Sequence, residues 1–232
     1  MTPETIRLVG GSLALDFANT VDWAADETPL EATDALVDAD ALGRWGARAA
    51  AGETREGATT HGDAMTHEDA KTHEDATTRG DAATREDAKT HEDATTHGGV
   101  EPRRDAAGAP PHEPLRTAIH RTFSALARRD DPPPEALEII HAAYVDAAQA
   151  ATLIPGTGLA HTALHHAIAA DAVALLSDPK ALERLHRCPG RDCGWLFIDT
   201  SGRRRWCSMA ACGSREKMRR MYARRRATTR EP

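Results

Sequence analysis

Apolar and polar positions recur along the chain in distinct rhythms. Leu13, Leu15, Phe17, Asn19 and Val21 alternate with Ala14, Asp16, Ala18, Thr20 and Asp22. A period of two predicts a β-strand there, fed by a turn at Gly10-Gly11. Leu36, Leu42 and Trp45 stand at roughly helical spacing in the alanine-rich stretch 36–50, which predicts a short helix. After Pro110-Pro111, Leu115, Ile119, Phe123 and Leu126 recur at i, i+4, i+8 and i+11, an amphipathic helix ending near Arg128-Arg129. The prolines at 132–134 separate it from a further helix marked by Leu137, Ile140, Tyr144 and Ala148. Thr152-Leu153-Ile154 predicts a short strand before the turn at 155–158. The stretch 159–176 then reads as a helix with Leu164, Ile168 and Leu175 inward, and Ser177 or Asp178 caps the helix leading to Cys188.

The middle of the chain has a different rhythm. From Thr54 the hexapeptide T-(H/R)-(E/G)-D-A-x runs seven times in register and ends in THGG at 96–99. A six-residue period places equivalent side chains about 240° apart on a helix of 3.6 residues per turn, so no single apolar face forms. The chain has 33 Leu, Ile, Val and Phe residues, and Val100 is the single one within 51–112. That segment buries too little apolar surface to offset its ordering entropy, and is expected to be a disordered insertion expanded by tandem duplication. Its histidines (His61, His67, His73, His91, His97) offer at most weak metal chelation, and a solvated linker is the plainer expectation. No apolar run approaches the roughly 18–20 residues of a membrane span, and the opening MTPETIRLVGGS has no signal-peptide core. The expectation is a soluble cytoplasmic protein with no membrane partner.

Charge divides the molecule. The formal net charge is −7, yet the stretch 187–226 holds 12 Lys/Arg against 3 Asp/Glu, and 51–112 holds 7 against 14. An acidic body with a basic C-terminal end points to a polyanion-binding appendage. All four cysteines lie in that basic end, spaced C-x4-C-x13-C-x4-C at Cys188, Cys193, Cys207 and Cys212. Two equal pairs, with no cysteine elsewhere, signal a tetrahedral thiolate zinc site; two disulfides are the alternative, disfavoured in an intracellular chain. Four thiolates leave no open position, so the ion is structural. Pro189-Gly190 makes a knuckle, 195–199 alternates as a strand, and Ser201-Gly202 turns the chain into a second strand at 203–206. Ser208 is the candidate N-cap of a helix over 209–226 carrying Cys212 in its first turn. Knuckle, hairpin and helix-borne last ligand describe a treble-clef finger. On that helix Met218, Met221 and Tyr222 are placed to pack on the hairpin. Arg215, Arg219 and Arg226 share one exposed side, and Lys217, Arg220 and Arg224 another. His161, His165 and His166 show metal-ligand spacing, but without the acidic residue a catalytic zinc helix needs they read as surface or core histidines.

The run CPGRDCGWLFIDTSGRRRWCSMAACGSREKMRRMYARRR resembles the CGNR zinc finger, named for a motif at its last cysteine. LVGGSLALDFANTVD similarly resembles the opening of the ABATE-type domain that usually precedes that finger. The resemblance implies an α+β N-terminal domain over 1–182 holding the insertion 51–112, a treble-clef finger over 183–226 and a tail over 227–232. It implies one structural zinc ion on Cys188, Cys193, Cys207 and Cys212, and a stress-linked role in transcription by DNA binding. The family's C-G-N-R is here Cys212-Gly213-Ser214-Arg215, so a hydroxyl stands where the family has an amide.

A DNA-binding regulator is the leading expectation. Arg203, Arg204, Arg205, Arg215, Lys217, Arg219, Arg220 and Arg224 are the candidate nucleic-acid contacts. Arg215 either reads a base edge or closes the fold by a hydrogen bond to the knuckle or to Asp199. A single finger has a small footprint, so a homodimer or another partner is needed for sequence specificity. The alternatives are RNA binding, with Trp195 and Trp206 stacking on bases unless they pack the finger's core, and a protein-interaction module. An enzyme is the weakest reading. Asp16, Asn19 and Asp22 cluster without a partnered base or nucleophile, and turn and hydrogen-bond support is their expected use. No residue identifies a small-molecule effector. Replacing Cys193 or Cys207 is expected to unfold 188–226 and leave the N-terminal domain folded.

Overall fold

In the computed structural model, which describes residues 1–51 and 112–228, the chain forms a helix where alternation predicts a strand. Helix α1 (Leu13–Ala18) is capped at its N-terminus by Ser12 Oγ, which accepts from the Leu15 amide at 3.2 Å. Asp171 Oδ2 accepts from the Ala14 amide at 2.8 Å, placing a carboxylate at the positive end of the helix dipole. The alternation is one of residue size, not of exposure: Ala14, Asp16 and Ala18 are as buried as Leu15 and Phe17. A helix wrapped on every side carries no amphipathic signature. The repeat and the disorder expected of it fall on 52–111, and part of the tail on 229–232, outside the described residues.

The longer helices follow their periodicity. Helix α2 (Ala39–Ala50) starts on Asp38, whose carboxylate accepts from the Ala41 amide, and Trp45 is fully buried. Helix α3 (Glu113–Arg128) buries Ile119 and Phe123 as predicted, and with them Arg116. The Arg116 guanidinium grips Asp34 through two hydrogen bonds of 2.7 and 2.6 Å. Burial pushes the Asp34 carboxyl upward, but the Arg116 hydrogen bonds and charge outweigh it and hold the group below its ordinary value. Helix α4 (Pro134–Ala150) departs from its predicted stripe: Ile140 is buried together with Ala136 and Ala147, Tyr144 and Ala148 are half-buried, and Leu137 is exposed. Strands β1 (Thr152–Ile154) and β2 (Gly158–Ala160) then form an exposed antiparallel hairpin. The next helix, α5 (Leu164–Leu176), therefore starts five residues later than 159, because Gly158–Ala160 are spent on pairing with β1. Helices α3, α4 and α5 pack in sequence, and α1 is wedged against α3 and α5. Among the described residues the body is helix-rich, with small two-stranded sheets, and no helix is long and apolar enough to cross a membrane.

The basic end begins at the short helix α6 (Pro179–Glu183), capped by Asp178 as expected. Strand β3 (Leu185–Arg187) follows and pairs antiparallel with β4 (Leu196–Ile198), with His186 opposite Phe197. This corrects the predicted hairpin, in which the strand at 195–199 has its partner at 203–206. Residues 203–206 form no strand, because the Asp199 carboxylate gathers the amides of Ser201 at 2.9 Å and Arg204 at 2.8 Å into a turn. A π-helical turn (Met209–Gly213) leads into helix α7 (Ser214–Thr228). Leu196, Phe197 and all four cysteines belong to one continuous apolar core with Leu15, Phe17, Trp45 and Ile119.

Candidate metal centre

The β3–β4 pairing brings the two ends of the knuckle together. Cys188 donates its amide to Trp195 O at 2.7 Å, and the loop between them returns Cys193 to the same side. Two glycines make the loop possible. A Cβ on Gly190 would lie 2.8 Å from Cys212 Sγ, so any side chain there would push into the ligand set. Gly194 has φ +62°, and a Cβ there would stand 2.7 Å from that of Trp23. Cys207 follows the Asp199 turn, and the π-turn supplies Cys212.

The four cysteines are buried, and their sulfurs all lie within 4.8 Å of one another. Cys193 Sγ and Cys207 Sγ stand 3.6 Å apart, as do Cys207 Sγ and Cys212 Sγ. Zinc–thiolate bonds of about 2.3 Å at tetrahedral angles put sulfurs about 3.8 Å apart, whereas a disulfide needs about 2.05 Å. The donor set fits one structural zinc ion, and no disulfide joins these sulfurs. Hydrogen bonds from Cys193, Cys207 and Cys212 pull the Cys188 thiol well below its ordinary range, aided by the Cys207 amide. The same hydrogen bonds push the Cys193 and Cys207 thiols up, so a bound cation is what would strip the protons from all four.

The N-terminal segment holds this centre from outside. Asn19 accepts from the Leu196 amide and donates to the Leu196 carbonyl, both at 2.8 Å. The Trp23 amide donates to Cys193 O, Ile198 N to Gly10 O, and the Trp195 indole N–H to Val21 O. His120 of α3 lies flat on Trp23, ring centroids 3.7 Å apart, and donates from Nε2 to Gly194 O at 3.0 Å. Burial pushes His120 down to about 3, so it is neutral. Sequence reading expects support from Asp16 and Asn19, and Asp16 indeed accepts from the Gly10 amide. It misses the clamp on Leu196 and the role of His120, although a histidine on the apolar face of α3 beside Ile119 and Phe123 is a legible signal. The expected cap, Ser208, instead receives Arg7 Nη1 at 2.6 Å and makes no side-chain bond to the helix. Ser214, two residues after Cys212, donates to Met209 O within its own turn.

The basic residues divide by task. Arg204 is turned inward: it covers the Phe197 ring at 4.3 Å and donates to the carbonyls of Val9, Trp206 and Cys207. Arg215 Nη2 reaches Cys212 Sγ at 3.6 Å. Arg203, Arg205, Lys217, Arg219, Arg220 and Arg224 are exposed, with Arg219 and Arg220 both paired to Glu216. Trp195 is buried on Val21 and not presented for stacking, and Trp206 is half-buried. Met218 and Tyr222 do not pack on the hairpin as predicted; they are 45% and 55% exposed, because α7 runs beyond the hairpin's reach and touches mainly the π-turn. His165 and His166 do meet an acid, Asp146 of α4, whose Oδ2 lies 2.9 Å from His166 Nε2 in an exposed pair.

Residues 184–225 match the family model of the CGNR zinc finger. No curated protein matches the chain.

Proposed function

We propose that the chain is a DNA-binding transcriptional regulator, with an ABATE-type N-terminal domain and a treble-clef finger, acting in the cytoplasm. The observation that carries this reading is α7: seven Lys/Arg against one Glu on a helix anchored at one end by the metal centre and exposed along its length. Such a helix suits the phosphate backbone, where each neutralised phosphate releases counterions. Arg203, Arg205, Lys217, Arg219, Arg220 and Arg224 are the contacts in this reading. One finger covers few base pairs, so a homodimer is the form that reads a site with specificity. Fluorescence anisotropy on duplex DNA from 50 to 200 mM salt tests it. Log affinity is expected to fall linearly with log salt, and Arg219→Ala or Arg224→Ala to reduce the slope by about 1. Absence of binding at low salt, in a zinc-loaded preparation, overturns it. The exposed Met218 and Tyr222 favour a second reading, in which α7 docks an acidic protein partner.

A further inference from the structure

Four thiolates on one divalent ion carry a net charge of −2. Here that charge sits on four ligands each at most 3% exposed, where an uncompensated anion is costly. The protein meets it unevenly. Cys188 Sγ accepts from the amides of Gly190 and Cys207, each at 3.4 Å. Cys212 Sγ accepts from a full positive charge, the Arg215 guanidinium, at 3.6 Å. Arg215 stands three residues after Cys212, and side chains at i and i+3 share a helix face, so the turn into α7 carries the guanidinium back over the ligand.

We propose that Arg215 is a positioning residue of the metal centre: its guanidinium holds the Cys212 thiolate against the ion and slows attack on that sulfur. A donated N–H and a nearby cation draw electron density from a thiolate, which lowers its nucleophilicity while leaving it a ligand. Arg215 is itself exposed, so its contact with the sulfur lies at the rim of the centre. Arg215 shares a small recess with Gly190, Asp192, Trp206 and Cys212, and its charge acts on the carboxylate of Asp22 nearby. Arg219, one turn further along α7, lines the same recess but is paired with Glu216 and makes no bond to a cysteine sulfur. This role is independent of nucleic acid, and it takes Arg215 out of the set that would read bases.

The test uses the zinc-loaded full chain with Arg215→Ala, Arg215→Lys and Arg219→Ala. Zinc release after addition of N-ethylmaleimide is followed with a metallochromic dye, and thermal melting is recorded alongside. Arg215→Ala is expected to release zinc about ten-fold faster, the loss of one charge-assisted hydrogen bond, with Arg215→Lys in between and Arg219→Ala unchanged. In cobalt-substituted protein the thiolate-to-metal charge-transfer band should shift for Arg215→Ala and not for Arg219→Ala, a signature that a merely structural contact would not move. If Arg215→Ala misfolds, Arg215→Lys carries the test by both readouts. Release rates and cobalt spectra equal to the unmodified chain in both Arg215 variants overturn the proposal.

Discussion

Asn19 does with one side chain what a neighbouring strand does with its backbone. Its amide offers one donor and one acceptor in a plane, and Leu196 takes both. Asn19→Ala should leave the Leu196 amide and carbonyl without those partners and cost about 2–4 kcal/mol in urea unfolding. Asn19→Asp keeps the shape but loses the donor and buries a charge, so it should cost at least as much; a neutral result for either variant would contradict the clamp. His120 gives a second residue-level prediction. Its folded value of about 3 lies below the ordinary 6.5, so between those values the unfolded chain binds the proton and the folded chain does not. Stability from this group is therefore complete above pH ~6.5 and lost as pH falls toward 3, by an amount on the order of 5 kcal/mol in all. His112, also held low by burial, acts in the same direction, while Glu27 beside His120 opposes the shift and Arg187 and Arg128 reinforce it. Urea midpoints of His120→Phe should vary less between pH 7.5 and 5 than those of the unmodified chain, and an unchanged slope would show that His120 is not the group responsible.

At the scale of elements, β4 is hydrogen-bonded on both flanks: by β3 on one side and by Gly10 and Asn19 on the other. A finger that shares its strand in this way should not melt alone. Removing zinc with a chelator, or replacing Cys193 by Ser, should expose the amides of α1 to hydrogen exchange together with those of β4. Persistent protection of Leu15–Asn19 after metal loss would restore the independent finger that spacing alone suggests. The same coupling marks where sequence reading reaches its limit. Helices α2 to α5 are legible because their large apolar residues recur at helical spacing. Helix α1 is dry all round and writes none. The cysteine quartet is legible because equal pairs of soft ligands have few other uses. The clamp on Leu196 is not, since its two ends lie 177 residues apart and each alone is an ordinary residue. Nor does a local pattern announce that Asp199 spends two amides on a turn where 203–206 looks ready to be a strand.

At the scale of the molecule, segment 52–111 and the rest have different compositions, and this sets a prediction of its own. The segment contributes Val100 alone to the 33 large aliphatic and phenylalanine side chains. Replacing 52–111 by a Gly/Ser linker of equal length keeps the closure entropy nearly constant, so the melting temperature should move by no more than about 2 °C. A large fall would mean the repeats contribute packing that their composition does not reveal. A different consequence comes from the bonds that tie the early chain to the late chain: Arg7 to Ser208, Asn19 to Leu196, Trp195 to Val21. A ribosome delivers residues in order, at about 5–20 per second, so the first twenty wait on the order of ten seconds or more for their partners. During that interval Leu15 and Phe17 have no β4 to lie against, and the cysteine ligands have not all been made. Docking of the leading segment thus waits until residues 185–212 have been made, and zinc supply at that moment should govern the yield of folded chains.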